Sequence, residues 1–164
     1  MPYAFIARSP AEMPTGEDLL SRSGLEFMQA VLAGELSGPP IAGVLSYTLH
    51  TVEKGRVVFR GAPRFEHTNP MGTLHGGWYG TLLDSCMACA VMTLVPKGQH
   101  YTTLEYRINI ARALPLGMEI EAVGEVQHVG RSTGIARGEI RGLGDGRLYA
   151  TGSTTCLIMG QPTG

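Results

Sequence analysis

An acidic residue in the middle of an apolar run is the feature that most suggests chemistry. Asp84 stands among Leu82, Leu83 and Met87 in a stretch whose small and apolar residues would cover every face of a helix. A helix that is apolar all round is buried all round, and a buried carboxylate is costly unless it is paired or used. Asp84 can activate water as a general base or attack a carbonyl as a nucleophile. The alternative is a structural Asp that is hydrogen-bonded to a neighbouring strand.

A glycine pair marks the start of the same helix. Gly76 and Gly77 follow His75, which places unpaired N–H groups and the positive end of the helix dipole at one spot. Because glycine has no Cβ, a carbonyl group can approach this backbone closely. Such amides can stabilise the oxyanion that forms when a carbonyl is attacked. The alternative is that the glycines only permit a tight turn into the helix.

Gly76 and Asp84 are too far apart to act together within one chain. They are eight residues apart in the sequence, which corresponds to about 12 Å along a helix. A catalytic base has to reach its proton directly or through one water molecule. The site therefore has to combine Gly76 of one subunit with Asp84 of another, and a two-fold dimer with antiparallel helices does so twice. We expect a homodimer or a homotetramer with its sites at the subunit interface.

The first part of the chain predicts one helix and a β-hairpin. Ser23 and Glu26 have the spacing of a capping box, and the helix that they begin is ended by the segment Gly34 to Pro40. Alternating apolar and polar residues then predict two strands that turn at Glu53-Lys54-Gly55. The long helix follows, from about residue 75 to residue 94.

Four more strands complete the predicted fold. The first places alternate residues on one face (Thr102, Leu104, Tyr106, Ile108 and Ile110), and the second has a break near Gly124. The last two form a hairpin around Gly144-Asp145-Gly146. The prediction is an α+β fold in which an antiparallel sheet of about six strands wraps around one long central helix. Residues 1–35 form an N-terminal extension with one helix, and residues 36–164 form the main domain.

Composition excludes several classes of protein. Apolar residues make up 43% and charged residues 16%, with a net charge of -1, which is typical of a globular domain and not of a nucleic-acid-binding protein. Asp84 makes the longest apolar run too costly for a membrane span. The first 20 residues lack a secretory signal, so we expect a cytoplasmic protein. The three cysteines predict no disulfide framework, and Cys86 and Cys89 are interpreted as core thiols.

The segment HTNPMGTLHGGWYGTLLDSC, residues 67–86, resembles the signature of the hotdog-fold thioesterase superfamily, and most closely the phenylacetate-degradation type. The matching positions are Asn69, His75-Gly76-Gly77 and Asp84, and the predicted element order agrees over about residues 40–160. The resemblance implies a hotdog fold and an enzyme that hydrolyses an acyl-CoA thioester to a free acid and CoA. It implies no metal and no redox cofactor.

The resemblance also implies roles for single residues. Asp84 is the general base or nucleophile, and the backbone amide of Gly76 polarises the thioester carbonyl. Asn69 holds a water or the thioester oxygen, although an Asx turn before Pro70 is the alternative. Thr103 is preferred to its neighbour Thr102 as the hydroxyl that orients the attacking water.

Further residues are assigned to substrate binding. His75 and Gly77 belong to the binding segment, with a structural hydrogen bond as the preferred role of the His75 side chain. Arg112 and Arg131 are candidates for the CoA phosphates, and solvent-facing arginines are the alternative. The histidines are dispersed without the spacing of metal ligands, which predicts no metal site.

Two other functions were weighed. A hotdog dehydratase or hydratase would place a histidine beside the acid of the helix, and none adjoins Asp84 in the sequence. A non-catalytic acyl-CoA-binding module would gain nothing from a carboxylate near a thioester. The sequence leaves open the acyl group, the choice between dimer and tetramer, and the role of residues 1–35.

Overall fold

The structure is a computed structural model that describes residues 5–161. Its helices are α1 (Gly16–Leu20), α2 (Gly24–Ala33), α3 (Pro40–Val44) and α4 (Gly76–Met92). Its strands are β1 (Tyr47–Glu53), β2 (Arg56–Gly61), β3 (Gln99–Ile110), β4 (Ile120–Val129), β5 (Thr133–Gly142) and β6 (Leu148–Gly160). Single turns of 3-10 helix lie at Pro10–Glu12 and Phe65–His67.

The six strands form one antiparallel sheet around α4. Their order across the sheet is β1-β2-β4-β5-β6-β3, so β1 and β3 are its two edges. Leu82, Leu83, Met87 and Val91 of α4 are fully buried against the sheet, which agrees with the apolar residues on every side of this helix. The predicted hotdog fold is confirmed. None of the helices within residues 5–161 has the length and apolar character that a membrane span requires.

The N-terminal region contains more helix than the sequence analysis predicted. The capping box of Ser23 and Glu26 is present at the start of α2, and Gly34, with a φ of 77°, ends that helix. A second capping box, between Thr15 and Asp18, begins the short α1, which was not predicted. The start of α2 is hydrogen-bonded to the segment that follows α4, because the Gly24 amide donates a 2.9 Å hydrogen bond to the Val95 carbonyl.

The predicted break near Gly124 was wrong, because β4 runs without interruption through this residue. A Cβ at Gly124 would overlap the backbone carbonyl of Cys86 in α4. Gly138 on β5 also packs closely against α4, because a Cβ at this position would lie 2.8 Å from Cγ of Met87. Glycine therefore lets the sheet approach the helix closely here and does not interrupt the strand.

The third strand also differs from its prediction. Leu104, Tyr106 and Ile110, which alternation placed on one face of the strand, are 58%, 46% and 46% exposed. A bulge between Thr103 and Glu105 shifts the register against β6, and no strand within residues 5–161 covers the outer edge of β3. Apolar side chains consequently remain in solvent along a free strand edge, which is a surface that another chain can pair with.

Candidate active site

A narrow stripe of α4 is left partly exposed by the surrounding sheet. Thr81, Asp84, Ser85 and Cys89 are half-buried, whereas the other residues from 82 to 88 are buried. Asp84, Ser85 and Cys89 follow Thr81 by three, four and eight residues, and residues at these spacings share one face of a helix. This face lies in the gap between the sheet edges β1 and β3, since Ser85 is hydrogen-bonded to Tyr47 of β1 and Asp84 is hydrogen-bonded to Thr103 of β3.

Asp84 is held by one hydrogen bond from the sheet. The Thr103 hydroxyl donates to carboxylate Oδ1 at 2.9 Å, and no other group within residues 5–161 bonds to this side chain. Burial raises the pKa of Asp84 above its ordinary value, and the Thr103 hydrogen bond opposes this effect by stabilising the carboxylate. The second carboxylate oxygen is available to a water molecule or a substrate.

The β3 strand runs antiparallel to α4 along the exposed stripe. Thr103 is bonded to Asp84, a Cβ on Gly80 would lie 3.2 Å from the Tyr106 ring, and a Cβ on Gly76 would lie 3.6 Å from Ile110. The start of the helix is thus beside the end of the strand, about 12 Å from Asp84. As the sequence analysis expected, Gly76 and Asp84 of one chain lie too far apart to act on a single carbonyl.

The start of α4 presents the backbone amide of Gly76 as a hydrogen-bond donor. His75 is the N-cap residue, and its Nδ1 accepts the Gly77 amide at 2.9 Å, while its carbonyl accepts the Trp78 amide at 3.0 Å. Among the described residues, no acceptor bonds to the Gly76 amide. The Gly76 amide therefore remains able to bind an oxyanion, whereas the Gly77 amide is already occupied. His75 has the structural hydrogen bond that was preferred for it.

Asn69 organises its own loop. Its Oδ1 accepts from the amides of Met71 at 2.9 Å and Thr73 at 3.3 Å, and its Nδ2 donates to the Thr73 hydroxyl at 2.9 Å. This is the Asx turn that was weighed as the alternative to a catalytic role. The loop leads through Leu74 directly into the N-cap of α4, so Asn69 positions the helix start whether or not it contacts substrate.

The two candidate arginines lie at opposite ends of α4. Arg112 follows the end of β3, near Gly76, and donates a 3.3 Å hydrogen bond to the Leu148 carbonyl. Arg131 is exposed in the turn between β4 and β5, close to Gly134, whose Cβ position lies against Val91 near the other end of the helix. The structure does not bring the two guanidinium groups together within one chain. No cluster of three metal-ligating side chains is present within residues 5–161.

The sequence analysis missed the residues that flank the acid. The Tyr47 hydroxyl lies 2.9 Å from the Ser85 hydroxyl, beside Asp84. Burial raises the pKa of Tyr47 to about 12, and the nearby carboxylate of Asp84 acts in the same direction. Burial also raises the pKa of Tyr101 on β3, and the Asp84 charge contributes there too. In the sequence Tyr47 alternates with the polar residues Ser46 and Thr48, as an apolar strand position does, so nothing there indicated that its hydroxyl would reach α4.

The region of the chain that forms the candidate site is similar to known proteins. Residues 71–149, which contain the start of α4, Asp84 and Thr103, match the model of the thioesterase superfamily. The TT0310 protein from Thermus thermophilus is 30% identical, with 72% of this chain and 96% of that chain covered and a TM-score of 0.65. The chain belongs to the thioesterase superfamily. The domain that contains Asp84 and Thr103 is accordingly that of a thioester hydrolase.

Two further relatives place the thioesterase within its superfamily. A mutant of the phenylacetic acid degradation protein PaaI from Thermus thermophilus is 29% identical, with coverage of 72% and 97% and a TM-score of 0.65. Human acyl-coenzyme A thioesterase 13 is 28% identical over 108 residues, which are 66% of this chain and 76% of the relative. The thioesterase is therefore similar to the phenylacetate-degradation type, as its motif implied.

Proposed function

We propose that this chain hydrolyses acyl-CoA thioesters to a free carboxylic acid and CoA, with Asp84 as the reacting acid. The observation that carries the proposal is the position of Asp84 on the half-buried stripe of a mostly buried helix, where Thr103 engages only one of its carboxylate oxygens. The acid is thus oriented and still has one oxygen free for chemistry. The name of the human relative, an acyl-coenzyme A thioesterase, supports CoA as the thiol.

In the general-base route, Asp84 accepts a proton from water while the water oxygen bonds to the thioester carbon. The carbonyl oxygen becomes an oxyanion that accepts a hydrogen bond from the amide of Gly76 of the partner subunit. The intermediate collapses with loss of the carbon–sulfur bond, and the CoA thiolate takes up the proton from Asp84. One water is consumed, and one acid and one thiol are released.

In the nucleophilic route, a carboxylate oxygen of Asp84 bonds to the thioester carbon and expels the CoA thiolate. The resulting mixed anhydride is then hydrolysed by water. A single turnover in water enriched in the heavy oxygen isotope detects the nucleophilic route when water attacks the Asp84 carbonyl of the anhydride. The general-base route puts the label in the product acid, whereas hydrolysis of the anhydride at the Asp84 carbonyl puts the label in the protein.

The active unit of the proposal is a dimer that is paired along β3. The outer edge of β3 is free of other strands within residues 5–161 and carries the exposed side chains of Leu104, Tyr106 and Ile110. A two-fold pairing centred near Tyr106 places Thr102 beside Ile110 of the partner subunit. Because Gly76 adjoins Ile110 and Asp84 adjoins Thr103, this pairing brings the helix start of one subunit toward the acid of the other.

The proposal is tested by release of free thiol from a panel of acyl-CoA and aryl-CoA thioesters. Wild type is expected to release CoA, and Asp84→Asn is expected to lose several orders of magnitude in turnover, because an amide neither accepts the proton nor attacks. The folded state of the variant is checked by circular dichroism and thermal melting. The assignment of Asp84 fails if the folded variant keeps more than about a tenth of wild-type turnover.

A further inference from the structure

A large apolar cavity lies between the N-terminal segment and the long helix. Its volume is about 420 Å³. One wall is formed by α4, through Ser85, Cys89 and Met92. The opposite wall is formed by the N-terminal segment, which includes Leu19 of α1 and Phe27 of α2. The cavity therefore exists only because residues that precede β1 fold back over the exposed stripe of α4.

The cavity lies beside Asp84, because close neighbours of the acid line it. Ser85, the next residue along α4, lines the cavity and is bonded to Tyr47, which lines it too. Tyr101 on β3, two residues before Thr103, contributes to the same wall. Cys89 and Met92 follow one and two helical turns after Ser85, so the cavity runs from the residue next to the acid toward the C-terminal end of α4.

The dimensions of the cavity indicate what it can hold. A cavity of about 150 Å³ accommodates a benzene ring, and this cavity of 420 Å³ is nearly three times as large. A single aryl group or a short acyl group would leave most of it empty, at a cost in lost contacts. From Ser85 to Met92 the helix rises about 10 Å. An extended chain that advances about 1.2 Å per bond spans this length in eight or nine bonds.

We propose that the N-terminal segment, residues 5–45, closes an acyl pocket and selects thioesters of unbranched alkyl acids of about ten carbons or more. This inference rests on the proposed function, because it assigns the acyl part of the substrate to the same site. The thioester carbon lies at Asp84, and the alkyl chain extends past Ser85 and Cys89 under α1 and α2. Residues 5–35 of this segment belong to the extension whose role the sequence left open, and they thereby contribute to specificity.

Leu19 and Leu20 of α1 offer a matched pair of variants. Leu19 is partly buried in the wall of the cavity, whereas Leu20 is 41% exposed and does not line it. Leu19→Trp fills part of the cavity, and Leu20→Trp adds the same side chain to the solvent side of the same helix. We measure kcat/KM of both variants and of wild type on butanoyl-, octanoyl-, dodecanoyl- and phenylacetyl-CoA.

Wild type is expected to prefer dodecanoyl-CoA over butanoyl-CoA and phenylacetyl-CoA by about tenfold or more, since each added methylene leaves water on binding. Leu19→Trp is expected to lower kcat/KM on dodecanoyl-CoA by about tenfold while leaving butanoyl-CoA within about twofold. Leu20→Trp should leave the whole profile unchanged. A second variant, Phe27→Ala, enlarges the pocket and should raise the rate on hexadecanoyl-CoA relative to dodecanoyl-CoA.

The failure of this inference is distinct from the failure of the proposed function. If no thioester of the panel releases thiol, the proposed function fails. If thiol is released but the rate does not rise with chain length, or if phenylacetyl-CoA is preferred, the acyl pocket is refuted and the hydrolase is not. The pocket is also refuted if Leu19→Trp slows all substrates equally. Should Leu19→Trp not fold, the opposite shift that is expected of Phe27→Ala decides the question.

Discussion

The Thr103 hydroxyl donates a 2.9 Å hydrogen bond to Oδ1 of Asp84, across the gap between the edge strand β3 and the central helix. The bond joins residues that are 19 positions apart in the chain. It orients the carboxylate and favours its charged form against the effect of burial, which raises its pKa. The hydroxyl donates only to Oδ1, and no group within residues 5–161 donates a hydrogen bond to the other oxygen of the acid.

Removing the Thr103 hydroxyl should therefore shift the acid limb of the pH profile. Thr103→Val deletes the bond that lowers the pKa of Asp84, so the rise of kcat/KM with pH should move to higher pH. Thr103→Ser keeps the hydroxyl and should keep the wild-type limb. Thr102→Val is the matched control, since Thr102 is exposed and makes no bond to Asp84. An unshifted limb in folded Thr103→Val would remove this residue from the site.

The raised pKa of Asp84 also predicts a pH dependence of stability. A carboxyl whose pKa is higher in the folded state binds more protons there than in the unfolded chain, so the free energy of unfolding falls as pH rises through the window that begins at the ordinary value of 3.8. Asp84→Asn cannot ionise and should escape this loss. Urea denaturation should show wild type losing stability relative to Asp84→Asn as pH increases from below that value to neutrality. A constant difference across this range would contradict the raised pKa.

Gly76→Ala should raise the barrier to hydrolysis without disturbing the fold. The added Cβ meets Ile110 Cδ1 at 3.6 Å, which is ordinary contact, so the helix start tolerates it. It lies next to the free amide, where it should hinder the approach of the thioester oxygen, and loss of one oxyanion donor typically costs about 3 kcal/mol. The control is Gly144→Ala in the β5–β6 turn, where a Cβ meets nothing within 4 Å. Equal kinetics for the two variants would exclude Gly76 from the reaction.

Activity should be restored between two inactive variants if each site combines two subunits. We mix Gly76→Ala with Asp84→Asn under conditions that allow subunits to exchange, with a mass tag on one variant. In the heterodimer, one site carries both defects and the other carries neither. Random mixing makes about half of the dimers heterodimers, so about a quarter of wild-type activity should return. Tagged heterodimers without activity would refute the shared site.

The local sequence was sufficient to predict those features that are determined by residues close together in the chain. The capping box of Ser23 and Glu26, the glycine turn at Gly34 and the hairpin at Gly144-Asp145-Gly146 are set by contacts between residues a few positions apart. The strand break predicted near Gly124 was wrong, and the exposure of Leu104 was not predicted. Gly124 packs directly against the backbone of α4, where a Cβ would not fit. Leu104 is exposed because no strand within the described residues covers β3. Both depend on contacts that are remote in sequence.

The sequence by itself determined that a long apolar helix begins at a glycine pair and carries Asp84, because helical periodicity, capping and the cost of burying a charge are local properties. It also determined that Gly76 and Asp84 of one chain do not meet, because the helical rise separates them. Only the tertiary structure decided that Thr103 holds the acid, that Arg112 and Arg131 lie at opposite ends of the helix, and that the N-terminal segment encloses a cavity beside Asp84. These facts follow from strand order and from the packing of distant segments, which are set by the summed burial of the whole core and leave no local signature in the sequence.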